Sequence, residues 1–362
     1  MNINQYLLTH KDDGDLTSLS EVDYAIFSLL SYCQIEHFIK EKKESVYIKD
    51  FKLGYQKRLI KNISLFGGLK GMVDLLHKRK KYKDITFTDF RSVYDNEKEI
   101  QFASMCIHLP NNRIFVTFRG TDKYIIGFKE DLKLAIESVM PASILARDYL
   151  NEMMDKYSES TFIVGGHSKG GNLAIYSSSQ VSKNKQERIE KIIDLDCPGF
   201  NDDLIQSDGY QNITHKIETF VPQSSVVGVI FKKNQPVHVI KAKGIGLSQH
   251  SVFNWEFKGN KFKRVKELES GYELNEGFLN KTISQLNKDD MSFYIDTVYG
   301  MIKDNTKNLT FNDLMSIKVL TKAYKRYKTL TKAEKKKIKD ITFILLKNGS
   351  KPYKSYNTKK DK

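Results

Sequence analysis

The sequence predicts an α/β fold: a mostly parallel sheet flanked by helices, followed by a helical C-terminal appendage. Three observations predict it. Residues 161–196 run strand, helix, strand, as "TFIVGG", "GGNLAIYSSSQVS" and "EKIIDLD", and neighbouring parallel strands need a crossover helix of this kind. Upstream, "IQFASMCIHL" and "RIFVTFRG" are strand-like runs on either side of the turn "PNN", which is a hairpin pattern. Beyond about residue 261 apolar residues recur at three- and four-residue spacing, the period of a helix.

Each element follows in order. In "SLSEVDYAIFSLLSYCQIEHFIK" (18–40), Val22, Ile26, Leu29, Leu30 and Cys33 share a helical face, and Ser20 with Asp23 has capping spacing. Residues 41–90 are mixed and basic, with helical spacing around "GLKGMVDLLHKRKKY". "KEDLKLAIESV" and "PASILARDYLNEMMDKY" read as helices, the second with Pro141 near its start, where proline's missing N–H costs nothing. After the 161–196 unit come the loop "CPGFNDD" and two strand candidates, "HKIETFV" and "PVHVIKA". "SVFNWEF" alternates apolar and polar residues and suits a final strand. The helical region holds "GFLNKTISQL", "MSFYIDTVYGMIK", "LTFNDLMSIKVLTKAYKRY" with Thr310 as N-cap, and "TKAEKKKIKDITFILLK", where Thr331 and Glu334 have capping-box spacing. The chain thus divides into an α/β domain over 1–260, a helical subdomain over 261–350 and a disordered basic tail over 351–362.

Composition narrows the class. The 362 residues suffice for one large domain and a subdomain. With 40% hydrophobic and 28% charged residues the chain is ordinary globular material. No apolar run approaches the roughly 20 residues of a spanning helix. The start "MNINQYLLTHKDDGD" lacks the basic-then-apolar pattern of a secretory signal. Cys33, Cys106 and Cys197 are few, odd in number and far apart, so neither a disulfide framework nor metal spacing is visible. The expectation is a cytoplasmic protein without metal or organic cofactor. The net charge of +15 is uneven: residues 321–362 hold 15 Lys/Arg and 3 Asp/Glu, leaving +3 for the rest. Such a segment either attracts anionic lipid or nucleic acid or is a solvated face that aids solubility. Tyr324, Tyr327, Tyr353 and Tyr356 among its lysines could stack on bases. No folded nucleic-acid motif accompanies them, which argues against that partner.

The chemistry centres on "TFIVGGHSKGGNLA" (161–174). A serine hydroxyl needs a base to take its proton and donors to hold the resulting oxyanion. A G-x-S-x-G between a buried strand and a helix is the sharp turn on which α/β hydrolases expose such a serine. The turn crowds the residues two before and two after Ser168, here Gly166 and Gly170. The Lys169 N–H, at the helix N-terminus, is a candidate oxyanion donor. Its side chain is expected at the surface, with attraction of an anionic acyl substrate as the alternative. Thr121, in the loop "RGTD" after an earlier strand, is the candidate second donor. This fold places its histidine late in the chain, which leaves His215, His238 and His250. His238 lies within a strand-like run and reads as a packed residue. His250, on a loop before "SVFNWEF", is favoured as base, and His167 points the wrong way on the elbow.

These motifs together resemble the class 3 (triacylglycerol) lipase family: "FRGTD", "GGHSKGGNLA", "CPGF" and a late histidine are shared. "EVDYAIFSLLSY", "GFKEDLKLA", "VPQSSVVG" and "QHSVFNWEF" look closer to a Firmicute branch of lipase-like proteins known as a domain of unknown function. The resemblance covers roughly 1–260. It implies an α/β-hydrolase fold, Ser168 as nucleophile, His250 as base and an oxyanion hole near Thr121 and Lys169. It also implies an acid in a D-x-V-P segment, but "PQSSVVG" puts Ser225 there. Asp196, at the end of the strand after the nucleophile helix, is the best replacement; a loop-capping role is the equal alternative. Asp194 should face the other side, and Glu218 is a weaker candidate. The expected function is cleavage of an acyl or lipid ester, with an anionic membrane surface as a partner of 322–362. The rival is a non-catalytic binding or scaffold protein on the same fold.

Overall fold

The computed structural model describes residues 1–10, 14–33, 45–48, 68–122, 125–133, 139–268, 286–303, 309, 313 and 316–349. In chain order the elements are α1 (Ile3–Thr9), α2 (Glu21–Leu30), β1 (Ser45–Tyr47), α3 (Leu69–Leu76), β2 (Thr86–Asp95), β3 (Ile100–Leu109), β4 (Arg113–Phe118), α4 (Ile125–Lys133), α5 (Pro141–Lys156), β5 (Thr161–His167), α6 (Lys169–Gln180), β6 (Ile189–Leu195), β7 (Ile217–Pro222), β8 (Val237–Ile240), β9 (Phe257–Lys258), β10 (Lys261–Phe262), α7 (Lys288–Ile302), α8 (Ile317–Thr329) and α9 (Lys332–Gly349). Short helical turns lie between some of them.

Strands β1 to β8 form one sheet in sequence order. β1 to β4 pair antiparallel, and β4 to β8 pair parallel. Successive side chains of a strand face opposite ways, so the apolar runs of β5 and β6 feed two cores. Ile163 and Ile193 pack with α1, α2 and α3 on one face, beside Trp255 and Phe262. Phe162, Val164 and Ile192 pack with α5 and α6 on the other. A mostly parallel sheet buried on both faces requires such continuous apolar strands. The C-terminal ends of β4 to β7 therefore open on one edge, where crossover loops meet.

Local signals explain several boundaries. Ser20 and Asp23 form the capping box of α2, and Thr331 with Glu334 caps α9. Pro141 opens α5. Three expectations need correction. "SVFNWEF" is a 3₁₀ turn at Val252–Asn254 leading to a bridge between Trp255 and Ala242, because the indole must fold inward to be buried. β1 and the first half of β2 fall in the stretch 41–90 that reads as mixed and basic; β2 is half-exposed along most of its length, so it lacks an apolar run. The helix around "KEDLKLAIESV" begins earlier, at Ile125.

α4 is the link to the C-terminal helices. Ile125 and Ile126 pack with Tyr299, Leu309 and Val319, and Lys129 pairs with Asp296 at 2.7 Å over the Tyr299 ring. Ser316 caps α8. Thr310, nearly all of "GFLNKTISQL" and the tail 351–362 lie outside the described residues. Among the described residues no helix is long and apolar enough to cross a membrane.

Candidate active site

The β5–α6 junction carries Ser168. Its backbone has φ 57° and ψ −133°, a left-handed conformation that a non-glycine residue adopts only when its surroundings impose it. The surroundings here are backbone. A Cβ on Gly166 would strike the Gly170 carbonyl, and one on Gly170 would strike the Phe118 carbonyl and come within 3.0 Å of the Gly120 nitrogen. Only glycine permits strand, helix and the 119–122 loop to meet this closely. Ser168 is half-buried, and among the described residues its hydroxyl makes no hydrogen bond.

The 119–122 loop follows β4 and lies against the elbow: a Cβ on Gly120 would fall 3.3 Å from Ser168 Cβ. Arg119 anchors it by donating from Nη2 to the Cys33 carbonyl at 3.0 Å. Thr121 is buried, and its hydroxyl donates to Asp131 Oδ2 at 2.6 Å. The main-chain N–H of Lys169, the first residue of α6, has no intrahelical acceptor, so it is available for a ligand. The Lys169 side chain is not at the surface, contrary to expectation. It is 1% exposed and runs inward, where Nζ donates to Glu130 Oε2 (2.7 Å), Gln101 O (2.9 Å) and Gln101 Oε1 (2.8 Å). A buried ammonium persists only with such partners. Burial pushes the Glu130 carboxyl above its ordinary range, and Lys169 opposes that shift.

On the other flank, β6 ends and Asp196 turns with φ 57°. Its N–H donates to the Phe220 carbonyl at 2.9 Å. Asp196 Oδ2 lies 2.7 Å from His250 Nδ1, and Oδ1 accepts from Ser225 Oγ at 2.6 Å. Ser225 Oγ in turn accepts from the Gly228 N–H at 2.8 Å. Burial pushes the Asp196 carboxyl up; the bonds from His250 and Ser225 pull it back. A carboxylate accepts only, so the proton of neutral His250 sits on Nδ1 and Nε2 is left basic.

The loop bearing His250 is held by its neighbours. Gln249 accepts from the Ser224 N–H at 2.8 Å, and its carbonyl accepts from the Trp255 indole at 2.7 Å. The His250 carbonyl accepts from His167 Nε2 at 2.7 Å, so His167 Nδ1 accepts from the Tyr32 hydroxyl at 3.0 Å. His167 is thus fully engaged, and burial together with the neighbouring His250 holds its pKa well below the usual histidine value.

The remaining candidates lie elsewhere. His215 is exposed in the turn before β7, at the opposite edge of the sheet from Ser168. His238 is exposed on β8 rather than packed inside, its ring tilted at 31° to Phe220 with 5.5 Å between centroids. Asp194 accepts from Lys233 and the Cys197 N–H, and Glu218 pairs with Lys191. Sequence reasoning missed Gln101, Glu130, Asp131 and Tyr32, which arrive from β3, α4 and the end of α2; none carries a local motif. For Ser225 it saw only a lost acid, whereas its hydroxyl is a ligand of Asp196.

A mostly parallel sheet covered on both faces, with a strand–serine–helix elbow at its C-terminal edge, defines a lipase-like α/β-hydrolase fold. The chain belongs to the Mbeg1-like family, whose model matches residues 76–300. Among solved structures, a mono- and diacylglycerol lipase from Aspergillus oryzae is similar, at 15% identity over 70% of this chain and 88% of its own, with a TM-score of 0.43. A lipase from Rhizopus microsporus var. chinensis is similar at 12% identity, over 66% of this chain and 86% of its own, with a TM-score of 0.40. The Rhizomucor miehei lipase propeptide complex is similar at 13% identity, over 66% and 79%, with a TM-score of 0.38. No curated protein matches the chain.

Proposed function

We propose that the protein is a serine hydrolase that cleaves carboxylic esters of the acyl or lipid type. The observation that carries this reading is the 2.7 Å contact of a buried Asp196 with His250, on the same sheet edge as the strained Ser168 elbow. In the reaction His250 Nε2 takes the Ser168 proton as Oγ attacks the acyl carbonyl. The N–H groups of Thr121 and Lys169 hold the oxyanion. The alcohol leaves with the proton from His250, and a water activated by the same imidazole then releases the acid from Ser168. Asp196 holds the His250 tautomer, and Ser225 fixes Asp196. Residues 1–260 form the hydrolase domain in this reading, with 261–350 as a helical appendage and 351–362 as a basic tail.

The test is labelling with a fluorophosphonate. Wild type should label, and Ser168→Ala and His250→Ala should not; a folded wild type that stays unlabelled rejects the reading. The free Ser168 hydroxyl favours one rival, a non-catalytic binding protein on the same fold, and that outcome would select it.

The exposed face of α8 supports an anionic surface as the partner of 322–362. α8 exposes Ile317, Leu320, Tyr324 and Tyr327 at helical spacing, with five Lys/Arg and no Asp/Glu in Ile317–Thr329. Apolar side chains beside lysines suit the boundary of an anionic bilayer. Co-sedimentation with phosphatidylserine vesicles should weaken with salt and with Leu320→Ser/Tyr324→Ser; binding indifferent to both removes this face from the proposal.

A further inference from the structure

We propose that Gln101, on β3, is a positioning residue for the oxyanion hole, fixing the Gly120–Thr121 peptide and coupling it to Lys169; this rests on the serine-hydrolase reading above. Gln101 is fully buried. Its amide orientation follows from its partners. Lys169 Nζ can only donate, so the atom 2.8 Å from it is Oε1, and Nε2 faces the Gly120 carbonyl at 3.2 Å. In a trans peptide the carbonyl and the following N–H point in opposite directions. Holding the Gly120 carbonyl on Gln101 therefore aims the Thr121 N–H away from Gln101. The other end of the same amide holds Lys169, whose own N–H is the second candidate donor. Both donors are thus ends of one buried hydrogen-bonded chain.

Two further observations converge on this amide. Glu130 Oε2 accepts from both the Gln101 N–H (3.1 Å) and Lys169 Nζ (2.7 Å), which fixes the strand and the lysine to α4 together. Gly127 of α4 lies directly on the amide: a Cβ there would overlap Gln101 Oε1 and come within 2.9 Å of Thr121 Cγ2. Glycine within a helix is unfavourable, and here it leaves the room that the amide occupies.

The experiment compares wild type, Gln101→Met and Gly127→Ala, each checked for folding by its melting curve. Gln101→Met keeps the bulk and removes both the donor to Gly120 and the acceptor for Lys169; Gly127→Ala keeps the amide and displaces it. The readouts are the rate of Ser168 labelling by a fluorophosphonate, kcat and KM for p-nitrophenyl butyrate, and inhibition by an alkyl trifluoromethyl ketone, whose serine adduct bears an oxyanion. Loss of one oxyanion donor costs about 10²–10³ in kcat, so misalignment in Gln101→Met should slow labelling and kcat by roughly 10–100-fold. KM should hold, and the ketone should weaken by a similar factor. Gly127→Ala should show a smaller loss of the same kind and decides the matter if Gln101→Met does not fold. Wild-type rates and ketone affinity in a folded variant overturn this inference alone. Absence of Ser168-dependent labelling in wild type overturns the serine-hydrolase reading and this inference with it.

Discussion

On the histidine flank of the elbow, Asp196 meets an imidazole and a hydroxyl that the ends of β6 and β7 and the loop before Trp255 deliver. On the oxyanion flank, an ammonium and a carboxylate, Lys169 and Glu130, are buried at 1% and 3% side-chain exposure and share Gln101 between them. The first flank uses groups already at the strand ends and needs one buried charge. The second draws on β3, α4 and α6 and removes two charges from water. A buried ion pair adds little net stability over an apolar replacement of the same volume. What this pair supplies is geometry: it holds three elements against the loop that carries Thr121. In the serine-hydrolase reading proposed above, proton transfer falls to the first flank and the alignment of donors to the second.

Breaking the histidine flank should have the largest effect on turnover. Asp196→Asn should lower kcat by about 10⁴-fold, since the imidazole loses its tautomer and its counter-charge. Ser225→Ala, by contrast, removes one neutral donor and should cost only about fivefold, in line with a net hydrogen bond of about 1 kcal/mol. Ester kinetics on the two variants separate these roles. Equal losses would mean that Asp196 acts only as a structural cap.

Breaking the Lys169–Glu130 pair of the oxyanion flank should show first in stability. Glu130→Leu strands the Lys169 ammonium and should destabilise the fold by about 3–5 kcal/mol in urea titrations. Adding Lys169→Met should recover most of that loss. A single variant as stable as wild type would show that Gln101 alone satisfies the lysine.

The smallest effect concerns acid sensitivity. Folded His167, between Tyr32 and His250, resists protonation because of its burial and then because of His250. Unfolded chains take up that proton near pH 6.5. Below that pH the unfolded state binds more protons, so this group's contribution to stability is present above the unfolded value and is lost as pH falls. The slope is at most about 1.4 kcal/mol per pH unit. The raised carboxyls of Glu130, Asp131 and Asp196 act in the opposite sense. The readout is therefore the difference between wild type and His167→Gln: the variant should lose less stability between pH 7 and pH 5. Identical slopes would exclude His167 as the acid-sensitive group.

Much of this was legible along the chain because the signals are local. The strand–elbow–helix of 161–180, the glycines flanking Ser168, the cap at Ser20 and Asp23 and the parallel pairing of β5 with β6 all follow from residues within a few positions of one another. Asp196 could be named as a candidate because it stands at the end of the apolar strand β6; His250 could be named only from its late place in the chain, since the strand expected after it is a 3₁₀ turn. The tertiary structure alone decided which partners the isolated polar residues meet. Lys169 reads as a surface residue because a lysine next to a turn normally is one; only the arrival of Gln101 and Glu130, 68 and 39 positions upstream, makes its burial tolerable. Ser225 reads as the loss of an acid until Asp196 is brought to it from 29 positions away. Periodicity and turn chemistry report on a residue's own neighbourhood. The pairing of buried charges is set by where the sheet brings distant elements together, and no local pattern records that.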